Sequence, residues 1–190
     1  MRAIPFFFAL VASNVMAGSV SAYADEPDRH IYSFLNSNFV PIQLDLERKF
    51  DRLYTTDLSE GNASGYGFQE TVGRCFSHQV AGTKPMFRLH HGGDAPDHLY
   101  TMSANEKKSA MKDNYTDEGI LCYMYPKQTA GTCPMYRMMA TYAGSTRLNH
   151  FYTANSTEIN PAETGHGQPP VFYHSEGTAG FLISEYSFCQ

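Results

Sequence analysis

The chain has 190 residues, 19 acidic against 14 basic for a formal charge of −5, with 42% hydrophobic residues and no tryptophan. That length suits one domain with a sizeable core. The acidic balance argues against a nucleic-acid partner, because the densest basic pairs are only Arg48-Lys49 and Lys107-Lys108.

Residues 1–24 read as a secretory signal peptide. Met1-Arg2 leads into an apolar stretch from Ile4 to Ala12 and then into small residues ending Ala22-Tyr23-Ala24, an A-x-A cleavage pattern. The apolar stretch is shorter than the roughly 20 residues that a bilayer requires. The expected mature protein starts at Asp25, is secreted or periplasmic, inserts into no membrane and forms one domain over 25–190.

One phrase then recurs three times: Asp51-Arg52-Leu53-Tyr54-Thr55, Asp97-His98-Leu99-Tyr100-Thr101 and Asn149-His150-Phe151-Tyr152-Thr153. Each copy is followed by a polar residue (Asp57, Ser103, Asn155) and, three positions later, by Glu60, Glu106 or Glu158. This is the capping-box pattern of a helix start. A period of about 50 residues belongs to repeat architectures, with copies over about 38–82, 83–131 and 132–190.

Along each copy a strand precedes the phrase. Gly82-Thr83-Lys84-Pro85-Met86-Phe87-Arg88-Leu89 aligns with Gly131-Thr132-Cys133-Pro134-Met135-Tyr136-Arg137-Met138, and the first copy keeps only Pro41-Ile42-Gln43-Leu44. Alternation of bulky residues with Arg or Gln fits a two-residue period. The second copy continues with a helix from Ser103 to about Lys112 and an apolar strand Ile120–Tyr125. The helix window of the third copy is broken by Asn160-Pro161. Tyr32-Ser33-Phe34 and Tyr186-Ser187-Phe188 echo one another, which fits a leading strand that supplements the last unit. The expected fold is mainly β with short helices, a closed pseudo-threefold repeat that is β-trefoil-like, or alternatively a small propeller-like ring of strand-strand-helix-strand units.

Four cysteines in a secreted chain imply two disulfides, and their spacings match no zinc pattern. A hairpin at Pro126–Gly131 favours Cys122 with Cys133, leaving Cys75 with Cys189.

With its Glu118-Gly119 and Glu176-Gly177 pairs and its Gly-Thr-x-Pro strands, the chain resembles a family of secreted bacterial and fungal proteins built from tandem Asp-His-Phe-Tyr-Thr repeats, a domain of unknown function often found beside secreted hydrolases. The resemblance implies an accessory or surface-binding role. The first copy departs from it at Arg52, where histidine is expected, and at Gln43, where arginine is expected.

The candidate ligand-binding residues are His98, Tyr100, His150, Tyr152, Arg88 and Arg137. Two readings stand side by side. The repeated His-x-Tyr-Thr either holds each unit to its neighbour or lines shallow pockets repeated round the ring; the arginines either bridge carboxylates within their own repeat or recognise an acidic ligand. His90-His91-Gly-Gly-Asp94-Ala-Pro-Asp97-His98 concentrates possible metal ligands, but adjacent histidines on an extended chain point apart, so no metal and no cofactor are expected. No nucleophile elbow or phosphate loop is present. The expectation is therefore a non-enzymatic, lectin-like module for carbohydrate or another cell-surface polymer, with an interaction protein lacking a small ligand, or a secreted hydrolase, as alternatives.

Overall fold

The computed structural model describes residues 26–37, 50–93, 96–141, 148–159 and 173–183. The expected leader, Pro41–Leu44, Tyr186–Phe188 and Cys189 lie outside these residues. The described chain is mainly β with two short α-helices. Its elements are β1 (Arg29–Ser37), β2 (Phe50–Thr55), α1 (Leu58–Ala63), β3 (Gly67–Cys75), β4 (Lys84–His91), β5 (Asp97–Thr101), α2 (Ala104–Lys112), β6 (Thr116–Met124), β7 (Thr132–Thr141), β8 (Leu148–Thr153), a 3-10 turn (Ser156–Glu158) and β9 (Tyr173–Ile183).

Three successive segments share one order, strand, strand, helical turn, strand, and in each the first strand lies between the other two. The orders are β2-β1-β3, β5-β4-β6 and β8-β7-β9, all antiparallel. The first and third join through Arg74 opposite Ile183 into a six-stranded sheet curled as a half-barrel. Isolated bridges link Phe76 to Tyr123 and Tyr125 to Phe181. Every pair of segments therefore has one strand-to-strand link.

Register corrects one sequence assignment. Ser33 of β1 stands opposite Tyr54, as Arg88 stands opposite Tyr100 and Arg137 opposite Tyr152. Thus β1 is the first strand of the first segment, and Ser33 occupies the arginine position. β1 is also paired within its own segment, to β2 and β3, rather than supplementing the last one. The reason is packing: Ile31 and Phe34 are fully buried at the register positions of Met86 and Leu89, and of Met135 and Met138.

That odd spacing puts the two residues of each pair on opposite faces of a strand. Ile31, Met86 and Met135 join the common core with Val72, Met124 and Leu182. On the other face, Leu89 packs with Leu99 and Ala110 beneath α2, and Met138 packs with Phe151, Ile159 and Tyr173. Each of these central strands therefore buries apolar side chains on both of its faces.

At the middle of the common core, Tyr54, Tyr100 and Tyr152 are fully buried. The Tyr100 hydroxyl accepts from the Tyr54 N–H (2.8 Å) and donates to the Tyr54 carbonyl (2.8 Å). Tyr152 does the same to Tyr100 (2.8 and 3.0 Å), and Tyr54 to Tyr152 (2.9 and 2.6 Å). The cycle is complete, and the rings meet edge to face at 5.3–5.4 Å between centroids. β2, β5 and β8 are edge strands of their sheets, so their outward N–H and C=O groups need partners once buried. A phenol from the next segment satisfies both at once.

Cys75 is bonded to Cys122, with Cα atoms 6.1 Å apart, which corrects the expected Cys122–Cys133 and Cys75–Cys189 pairing. The hairpin argument fails because β6 and β7 are not neighbours: Cys122 lies opposite Met86, and Cys133 opposite Leu182. Cys133 is disulfide-bonded as well. The Cys75–Cys122 bond closes a loop of 47 residues, worth about 4 kcal/mol in the chain-entropy model. It ties the first segment to the second.

Replacing any one tyrosine of the cycle by phenylalanine keeps the ring and strands two buried backbone groups, each costing about 1–3 kcal/mol. Tyr54→Phe, Tyr100→Phe and Tyr152→Phe are therefore each expected to lower unfolding free energy by about 2–6 kcal/mol in urea denaturation. Losses under 0.5 kcal/mol would contradict the role given to the hydroxyls.

Candidate functional site

The helix starts build the site. Asp57, Ser103 and Asn155 cap as expected, their side chains accepting from backbone N–H groups of the first turn. The reciprocal half of the capping box is not made by the glutamates. Instead the N–H of each cap donates to the motif threonine: Asp57 to Thr55 Oγ1 (3.0 Å), Ser103 to Thr101 Oγ1 (2.9 Å) and Asn155 to Thr153 Oγ1 (2.9 Å). The Thr55 hydroxyl in turn donates to Glu60. This leaves the glutamates to serve another segment.

Glu60 receives both terminal nitrogens of Arg88 (3.0 and 2.8 Å), and Glu106 those of Arg137 (3.0 and 2.9 Å). Each guanidinium turns its Nε to a glutamate of its own segment, Glu118 or Glu176, at 2.9 Å. Those glutamates are aimed by bulges at Glu118-Gly119 and Glu176-Gly177, where both glycines adopt φ of +94°. Each arginine therefore bridges within its repeat and also across the segment boundary. Its donors are spent on two carboxylates.

The histidines point the same way across the boundaries. His98 Nδ1 lies 2.8 Å from Asp51, and His150 Nδ1 lies 2.6 Å from Asp97. Tyr66 and Tyr115 donate their hydroxyls to the same aspartates (2.9 and 2.6 Å). His98 and His150 are 7% and 5% exposed, and Tyr100 and Tyr152 not at all, so these rings offer no face to solvent. Arg88 and Arg137 are mostly buried.

The third boundary is different. Arg52 stands at the histidine position, Asn149 at the aspartate position and Ser33 at the arginine position. Arg52 lies 4.6 Å over the Phe151 ring, and the Tyr173 hydroxyl donates to Asn149 Oδ1 (2.6 Å). With no arginine opposite it, Glu158 keeps a buried Oε2 without a hydrogen-bond partner. Burial pushes the nearby Glu70 carboxyl up, and the charge of Glu158 adds to this while Arg52 opposes it.

Between the second and third segments a cleft of about 230 Å³ is lined by Thr101, Met102, Ser103, Glu106, Arg137, Glu176, Thr178 and Ala179. Sequence reading named Arg137 as a ligand residue and Glu106 as a cap. It missed Glu176 and Thr178 as site residues, and it missed that Asp51 and Asp97 hold the histidines, because those histidines lie in the next segment. Among the described residues, no helix is long and apolar enough to cross a membrane.

The Arg88 guanidinium holds the Glu60 carboxyl below its ordinary range. Burial alone would raise Glu106 and Asp97, but Arg137 outweighs it for Glu106, and His150 with Tyr115 outweighs it for Asp97. A depressed native pKa adds stability above the unfolded-chain value of about 4, and that stability is lost as pH falls through the lower native values. The three depressed carboxylates are thus expected to make urea midpoints fall as the pH drops below about 5. A midpoint unchanged down to pH 3 would contradict these pairings.

No curated protein and no solved structure matches the sequence. A family model described as "Domain of unknown function (DUF5648)" matches residues 46–183. The match takes in the phrase copies, the helix starts and the Glu-Gly bulges, and the chain belongs to this DUF5648 family.

Proposed function

We propose that the protein is a secreted or periplasmic, non-enzymatic binding module whose three repeats close into a small propeller-like ring, and that it is lectin-like, taking neutral carbohydrate in the cleft between its second and third segments. The observation that carries this reading is the state of Arg137. Its guanidinium is fixed by Glu106 and Glu176, so the cleft presents two oriented carboxylates with a net charge of about −1. Carboxylate oxygens and the exposed Thr178 suit sugar hydroxyls as acceptors and donors, and Met102 and Ala179 supply an apolar floor for a pyranose face. The same charge disfavours an acidic sugar or a nucleic acid.

A hydrolase fits less well. A glycosidase general acid needs a raised pKa, whereas Glu106 is lowered once its arginine outweighs burial. The internal rings of His98, Tyr100, His150 and Tyr152 hold the scaffold, and ligand contacts come from the cleft surface. Secretion is supported by the leader pattern and by the disulfide.

A screen of insoluble polymers tests the reading. Neutral polymers such as chitin, cellulose or mannan are expected to retain the protein in preference to an anionic one such as pectate. Thr178→Trp, which fills the cleft from an exposed position, is expected to abolish retention with an unchanged melting temperature. Undiminished retention of that variant, or no retention of the wild type by any neutral polymer, would overturn the proposal.

A further inference from the structure

Adjacent histidines on one strand point apart, but histidines opposite one another on paired strands do not. His90 of β4 stands directly opposite His98 of β5, and their imidazoles stack at 4.4 Å between centroids with planes 20° apart. Ligand atoms of His90, His98 and Asp51 all lie within 4.8 Å of one another. Asp51 holds His98 Nδ1, so His98 Nε2 faces the other way, 3.6 Å from Glu118 Oε2. Glu118 Oε1 lies 4.0 Å from His90 Nδ1. Two imidazoles thus lie beside one carboxylate, His98 near its Oε2 and His90 near its Oε1, and a second carboxylate holds His98 from behind.

We propose that His90, His98 and Glu118 bind one divalent transition-metal cation of the Zn²⁺ or Cu²⁺ class, with Asp51 fixing the ring of His98 as an outer partner. Nitrogen ligands with a single carboxylate select such borderline ions over Mg²⁺ or Ca²⁺, which prefer all-oxygen shells. The carboxylate–histidine arrangement is the one that orients metal-bound imidazoles. His90 and Glu118 are about one-third exposed, which gives a cation access from solvent. Glu118 faces His90 through Oε1 and His98 through Oε2, the oxygen that Arg88 also engages. Bound there, the ion would cross-link β4, β5 and β6.

The chain carries its own control. At the next boundary His150, Asp97 and Glu176 repeat the geometry, with Nδ1 at 2.6 Å and Nε2 at 3.6 Å from their carboxylates, but Met139 stands opposite His150 where His90 stands opposite His98. A methionine is therefore already housed in this position of the fold. His90→Met should fold, and it removes one ligand of the set.

The experiment is titration of the full chain with Zn²⁺ alone and, separately, Cu²⁺ alone, by calorimetry and by the shift in melting temperature. The wild type is expected to bind one ion and to melt higher with metal. His90→Met is expected to weaken that binding by about 10-fold or more and to lose the shift. Met139→His is expected to raise the stoichiometry from one to two. Binding by His90→Met equal to that of the wild type, a wild type that takes up neither ion, or an unchanged stoichiometry in Met139→His would each overturn the assignment.

Discussion

A buried strand edge is the problem this protein has to solve, and the tyrosine cycle is its solution. β2, β5 and β8 lie at the ends of their sheets and meet in the core, where an unpaired backbone N–H or C=O costs as much as a lost hydrogen bond. A fourth strand would satisfy such an edge, but three edges meeting at one point leave no room for one. A phenol is long enough to cross from one segment to the next, and its hydroxyl both donates and accepts. Three phenols, each serving one backbone N–H and one C=O of the neighbouring edge, close the cycle where the three edges meet.

The outer contacts depend on that arrangement. Once Tyr100 and Tyr152 set their strands against the preceding ones, the histidine two residues earlier reaches the aspartate of the neighbouring segment. The arginine opposite each tyrosine likewise reaches the neighbouring glutamate. The third boundary keeps the tyrosine and gives up the rest, with Arg52, Asn149 and Ser33 in place of His, Asp and Arg. The tyrosine contact is therefore the shared element, and the polar contacts are where the three boundaries diverge. That divergence gives one boundary a histidine pair, another a carboxylate-lined cleft and the third an unpaired Glu158 oxygen.

Local signals were legible in the sequence because they act over a few residues. The Tyr-Thr strands follow from alternation along the chain, and the caps at Asp57, Ser103 and Asn155 from side chains bonding nearby backbone. Partners across a boundary were not legible. Glu60 looks like half of a capping box until Arg88, 28 residues on, takes its carboxylate, and Thr55 does the capping in its place. Pro41-Ile42-Gln43-Leu44 resembles the leading strands of the other copies, yet β1 holds that role through register and burial alone. Cys122 and Cys133 are near in sequence but lie on strands that do not pair. A tyrosine that repeats in every copy could equally be a binding platform or a lock, and only its complete burial and its backbone partners decide for the lock.

The most direct measurement is native-state hydrogen exchange at the amides of Tyr54, Tyr100 and Tyr152, whose N–H groups are held by hydroxyls rather than by a strand. If the cycle is the common lock of the three segments, all three amides exchange only through global unfolding, with one shared free energy equal to that from denaturation. Exchange of any one of them through a local opening far below the global value, while the other two stay protected, would contradict the account.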